Sequence, residues 1–186
     1  MASVSLLLHC CCGPCSTSSI ERLIALGYEI TLSFSNSNIW PQEEFEKRFE
    51  QLEKVAKTFN LPLFKSPYEH QRWLDYIAGY ETEKEGGSRC ALCFEYNLKE
   101  AALIAKKRGI AHFTTTLSVS PHKNSLRIFS VGSSWDEFVP IDFKKQGGFQ
   151  RSIELAKEME LYRQSYCGCE FSLKQQKRNS HDRHTT

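Results

Sequence analysis

The chain lacks what a membrane or exported protein carries. No stretch approaches the roughly 18 apolar residues of a spanning helix. No basic residue precedes the apolar start at Val4–Leu8, so a secretory leader is not expected. The expected location is the cytoplasm, where disulfides are reduced. A glycine-rich phosphate loop is also missing. The first apolar run leads into His9-Cys10-Cys11-Cys12-Gly13-Pro14-Cys15, which is neither a Walker A sequence nor GxGxxG. Thiols stand where a nucleotide-cradling turn would be. Nor is there an excess of one charge: 24 Lys and Arg against 22 Asp and Glu leave a net +2. That neither demands nor rules out an RNA partner, because a local basic patch suffices. There is no internal repeat.

What remains fits one soluble α/β domain. The 186 residues, 40% apolar and 25% charged, are enough for a single core. Val4–Leu8 reads as a buried strand, and Ser16–Leu26 as a helix stopped by Gly27. Glu29–Ser35 alternates as a second strand. Pro41 opens a long helix whose stripe is Phe45, Phe49, Leu52, Ala56 and Phe59. Leu61–Lys65 is a short strand, and His70–Ala78 a short helix. The polar, double-glycine loop Glu81–Ser88 leads to a long helix from Arg89 to Arg108. His112–Ser118 reads as a strand, a weaker helix follows to Gly132, and Phe138–Phe143 reads as a last strand broken by Pro140. A helix over Phe149–Leu161 precedes Tyr166-Cys167-Gly168-Cys169. Alternating strands and helices predict a parallel sheet with flanking helices, residues 1–173, and a polar, disordered tail at 174–186. The strand C-termini then share one side, with Cys10–Cys15 on it.

Eight cysteines in this setting need a reason. They fall into three groups, 10/11/12/15, 90/93 and 167/169. They are too few for a disulfide scaffold and too clustered for scattered core thiols. Cys90 and Cys93, one helical turn apart, suit two ligands on one metal or cluster. Cys11 and Cys12 would complete a four-thiolate site, which both zinc and a 4Fe–4S cluster accept. An adjacent cysteine pair is not a zinc knuckle, which favours iron–sulfur. Cys10, beside the strand, reads as a buried structural thiol. Cys167 and Cys169 read as a redox-active dithiol, able to form a disulfide. His9 is a candidate ligand or proton donor, against simple packing. Lys123, Lys144 and Arg151 are the basic residues best placed for phosphates. Trp40, Trp73 and Trp135 are candidates for stacking on bases, with core or rim packing the plainer reading.

Four motifs together resemble the QueH type of epoxyqueuosine reductase. They are His9-Cys10-Cys11-Cys12-Gly13-Pro14-Cys15, Arg89-Cys90-x-x-Cys93-Phe94, Thr115-Thr116-Leu117 with Ser120-Pro121-His122-Lys123, and Asp142-Phe143-Lys144-Lys145 through Arg151-Ser152 to Leu161-Tyr162-Arg163-Gln164-x-Tyr166-Cys167-Gly168-Cys169. The resemblance implies a HUP-like, Rossmann-related fold. It implies cobalamin-independent reduction of epoxyqueuosine to queuosine at the wobble position of tRNA, the last step of queuosine biosynthesis. A 4Fe–4S cluster on Cys11, Cys12, Cys90 and Cys93 is carried over with it, as is a neighbouring metal. The family often has aspartate at the position of Cys15, which is tied to that metal, and commonly arginine at that of Asn97. The catalytic candidates are Cys167, Cys169 and Cys15. The Cys167/Cys169 pair or an adjacent mononuclear iron is the second redox element. The expected partners are a tRNA anticodon loop and an electron donor, with neither membrane nor DNA. The competing readings are a thiol–disulfide oxidoreductase using Cys167/Cys169 or Cys12/Cys15, a zinc-binding RNA module, and a cluster-dependent tRNA thiolation enzyme. The last would need an ATP loop, which is missing.

Overall fold

The computed structural model describes residues 4–182, with side chains through Gln176. Four parallel strands form one sheet in the order β3-β2-β1-β4: β1 Val4–His9, β2 Tyr28–Phe34, β3 Leu63–Lys65 and β4 His112–Thr115. The side chains of β1 alternate between two cores, as strand geometry requires. Leu6 and Leu8 face a core shared with Ile20, Phe34, Phe45 and Leu52. Leu7 faces the other, with Leu98, Phe113 and Ile128. Seven helices flank the sheet among the described residues: α1 Gly13–Ala25, α2 Gln42–Phe59, α3 His70–Tyr76, α4 Ser88–Lys107, α5 Ser125–Gly132, α6 Gly148–Glu158 and α7 Glu170–Asp182. This is a single-domain, Rossmann-like α/β fold. No helix among the described residues is long and apolar enough to cross a membrane.

The strand order positions the site. From β1 the chain steps outward to β2 and β3, then returns to lay β4 on the other side of β1. The order reverses between β1 and β4, and ligands of open α/β sheets bind beyond the strand ends at such a switch point. The cysteine run follows β1, and Thr115-Thr116 follows β4.

Several elements differ from the sequence expectation. α1 begins at Gly13, three residues early, because Pro14 presets φ for the first turn and Cys12 takes the extended N-cap position. Cys15 is therefore helical rather than in a turn. β4 ends at Thr115, whose hydroxyl accepts from Leu117 N–H at 3.1 Å and starts a 3-10 turn over Thr116–Val119. Residues 138–143 form no strand. Only Phe138 bridges to Phe113, since Pro140 has no N–H to extend the ladder. Residues 174–182, read from sequence as disordered tail, continue α7. Its first turn is docked by Phe171, whose ring lies 6.3 Å from that of Trp73. Residues 183–186 of that tail lie outside the described residues.

Candidate functional site

The first thiol group is built where β1 becomes α1. Cys10 still belongs to the sheet: its N–H donates to Ser33 O at 2.9 Å, and its thiol donates to Leu8 O at 3.3 Å. It is fully buried in the main core, and burial pushes the thiol up, so it is a structural residue. The chain then turns. Cys11 N–H donates to Thr116 Oγ1 at 3.0 Å, which ties the β1 end to the β4 end. The sulfurs of Cys11, Cys12 and Cys15 all lie within 4.8 Å of one another, with Cys11 and Cys12 3.9 Å apart.

The trio shares its charge unevenly. Hydrogen bonds from Cys11 and Cys15 hold the Cys12 thiol well below its ordinary value, helped by the Arg48 guanidinium. The same contacts push Cys15 well up. Gln164 Nε2 also donates to Cys12 Sγ, at 3.2 Å. Of the three, Cys12 is thus the most readily deprotonated and Cys15 the least.

The second group starts α4. Gly86 N–H donates to Cys90 Sγ at 3.2 Å, and Asn97 Nδ2 approaches Cys93 Sγ at 3.5 Å while bonding Cys93 O and Asn38 Oδ1. Burial raises both thiols, and the charge of Cys167 adds to the effect on each. The third group, Cys167 and Cys169, therefore lies against the second. Its two members face different surroundings. Cys169 packs with Trp73, Ile77, Tyr96 and Cys93, and burial lifts its thiol to about 12. Cys167 lines the main cleft.

That cleft measures about 630 Å³ and is bordered by Cys11, Cys15, Lys123, Arg163, Tyr166 and Cys167. Behind it, Cys11, Cys93 and Cys167 reach a small inner cavity of about 20 Å³, again beside Lys123. Burial alone would lower the Lys123 ammonium, but the facing thiol groups of Cys167, Cys11, Cys15 and Cys12 outweigh it and raise it. One cation thus sits between the first and third thiol groups.

The sequence candidates are distributed as follows. Cys11, Cys12 and Cys15 come together. Cys93 and Cys167 meet Cys11 at the inner cavity, Cys90 packs on the same apolar cluster as Cys11, and Cys169 turns into its own apolar cluster. All eight cysteines are free thiols in this structure. His9 is buried; its Nδ1 pairs with Thr115 Oγ1 at 2.9 Å, its Nε2 has no partner, and burial holds it below its ordinary value. Lys144 is committed to Lys123 O at 2.6 Å. Arg151 is bound to Glu21 at 2.9 and 3.0 Å and does not line the cleft. Trp73 is fully buried, Trp135 packs edge-on to Phe113, and Trp40 is exposed.

Arg48, Gln164 and Asn38 escaped the sequence reading. For Arg48 a signal existed. It falls between Phe45 and Leu52, at i+3 and i−4, so it lies on the buried stripe of α2 where a charge is unexpected.

The donor set fits a sulfur-bound metal or cluster. Sulfurs from two chain segments converge on one space, with N–H donors aimed at three of them, an arrangement that favours thiolate and tunes a sulfur-ligated centre. The family described as Epoxyqueuosine reductase QueH matches residues 6–175. Epoxyqueuosine reductase QueH of Streptococcus pyogenes serotype M1 is 38% identical over 183 residues, covering 92% of this chain and 71% of that protein. The Haemophilus influenzae protein of the same name is 39% identical over 175 residues, 91% of this chain and 71% of its own. That of Thermotoga maritima is 37% identical over 177 residues, 91% of this chain and 90% of its own. A match across nearly the whole chain makes this chain a member of the QueH epoxyqueuosine reductase family.

Proposed function

We propose that this chain is a cobalamin-independent oxidoreductase that reduces epoxyqueuosine in tRNA to queuosine, the last step of queuosine biosynthesis, in the cytoplasm. The convergence of Cys11, Cys12 and Cys15 at the β1 end, with Cys11 and the α4 thiol Cys93 lining one inner cavity, carries the reading. Removing an epoxide oxygen as water, leaving a double bond, takes two electrons and two protons. In this reading Cys11, Cys12, Cys90 and Cys93 hold a 4Fe–4S cluster. When bound, that cluster supplies electrons one at a time, received from a separate electron donor, and an adjacent iron would add a Lewis acid at the epoxide oxygen.

The chain's own residues do the rest. Cys15 is half-buried at the cleft, and its contacts with Cys11 and Cys12 push its thiol well up, which favours the protonated form. It is either a proton source for the departing oxygen or, once deprotonated, a ligand to the second metal. Cys167 presents its thiol to the cleft, with Cys169 behind it as partner. Oxidising that pair to a disulfide releases two electrons and two protons, which balances one epoxide. Lys123 holds positive charge among the thiols and faces the space where an anionic RNA would enter. Arg163 is exposed on the cleft rim, 5.9 Å from the Phe149 ring, beside a surface on which an extruded base can stack.

The test is turnover. Anaerobically reconstituted protein, a chemical reductant and tRNA bearing epoxyqueuosine should yield queuosine, read as the loss of one oxygen from the digested nucleoside. Unchanged epoxyqueuosine with an intact, reducible cluster would overturn the proposal.

A further inference from the structure

The loop Tyr166–Cys169 carries the two candidate redox thiols, yet it belongs to no strand or helix, since α7 starts only at Glu170. Something outside it must fix its shape. α2 supplies a buried cation for this. The Arg48 side chain is 1% exposed. Its Nε donates to Glu44 Oε1 at 2.7 Å, its Nη1 to Cys167 O at 3.0 Å and its Nη2 to Tyr166 O at 3.3 Å. Glu44 is held in turn by the Tyr162 hydroxyl at 3.1 Å. A buried charge is tolerated only when paired and hydrogen-bonded. Here Glu44 pairs the charge and the thiol-loop backbone takes both terminal nitrogens, so the loop cannot leave without stranding two buried N–H donors.

The other contacts complete a clamp. Gly168 O accepts from Trp40 N–H at 2.9 Å, and the Tyr166 hydroxyl donates to Trp40 O at 2.6 Å. Cys167 N–H donates to Ser172 Oγ at 3.1 Å. Gly168 has φ +145°, and a Cβ there would lie 3.2 Å from Arg48 Nη1 and 3.3 Å from Ile39 Cγ1. The loop is thus pressed against the guanidinium, with Cys167 toward the cleft and Cys169 toward the Trp73 cluster.

We infer that Arg48 is a positioning residue for the dithiol: its fork on the Tyr166 and Cys167 carbonyls holds Cys167 open to the cleft and Cys169 shielded. It touches neither thiol's sulfur and acts through the loop backbone. This rests on the reductase reading for its purpose, but the thiol asymmetry is measurable without substrate or reductant.

The experiment is timed alkylation of the full chain as purified, with site-resolved mass spectrometry. It compares wild type, Arg48→Met, and Arg48→Met combined with Glu44→Gln, which leaves no unpaired buried carboxylate. Cys10, fully buried in the main core, reports global opening in the same sample. Wild type should label Cys167 well ahead of Cys169. In both variants Cys169 labelling should rise on the order of tenfold or more, the worth of a lost charge-assisted hydrogen bond, while Cys10 stays at its wild-type rate. Arg48→Lys, able to serve one carbonyl, should fall between. If Cys169 stays protected in the double variant, or if Cys169 and Cys10 rise together there, the positioning role is overturned. Failure of the reductase reading would instead show as no turnover with the Cys167/Cys169 contrast intact.

Discussion

Replacing Gly13 by alanine should damage the thiol site more than it damages the fold. A Cβ at residue 13 would lie 2.8 Å from the carbonyl carbon and oxygen of Gln51 and 2.9 Å from its Cβ. Two of these atoms are α2 backbone, which cannot rotate aside, so α1 has to lift from α2 at its first turn. Overpacking of this kind costs about 1–3 kcal/mol. At roughly 2–4 °C per kcal/mol for a chain this size, Tm should fall by about 2–12 °C. The lifted turn carries Cys12 and Cys15, so iron bound after anaerobic reconstitution should fall as well. Gly27→Ala is the control. Gly27 has φ +81° and nothing within 4 Å of its missing Cβ, so the change costs about 1–2 kcal/mol of backbone strain and moves no thiol. The assay is Tm by circular dichroism together with iron per chain. Gly13→Ala with unchanged Tm and full iron would refute the reasoning, as would equal iron loss in both variants.

Other expectations follow from the placement of charges. Lys123→Ala and Arg163→Ala should weaken tRNA binding and reduce its salt slope. Arg151→Ala should leave affinity unchanged and cost only stability, because Arg151 is committed to Glu21; filter binding at several salt concentrations separates the two. The His70–Glu170 pair, 3.2 Å apart, joins the start of α3 to the start of α7. Burial lowers His70, but its bonds to Glu170 and Ser37 O outweigh that and raise it. Its contribution to stability is full below the ordinary imidazole value of about 6.5 and is lost as pH rises through the raised one. Burial raises Glu170, but the His70 bond outweighs that and lowers it, so its own share is lost as pH falls through the lowered value. His70→Gln should flatten the decline of urea stability as pH rises above about 6.5, and an unchanged slope would contradict the pairing.

The sequence was most legible where local chemistry decides. The apolar start of β1, the Pro14 and Gly13 break and the helical stripe of α2 each carry their own signal, and so does the grouping of cysteines. What was hidden depends on partners distant in the chain. Residues 138–143 look like a strand by composition but meet β4 at one bridge, because Pro140 cannot donate. The helix over 174–182 begins beside Trp73, about 100 residues earlier, and its polar composition alone reads as tail. Cys15 looked like a surplus thiol because the start of α1 at Gly13, which brings its sulfur to Cys11 and Cys12, was not apparent. Arg151, which looked well placed for phosphate, faces Glu21 across α1 and α6, a pairing only the packing reveals.

The central claim is that the converging thiols hold an iron–sulfur cluster. Its most direct test is iron, sulfide and zinc content with a visible spectrum, on anaerobically purified protein. The account predicts iron with sulfide and a broad charge-transfer band that bleaches on reduction. Zinc alone, with no colour after anaerobic reconstitution, would contradict it.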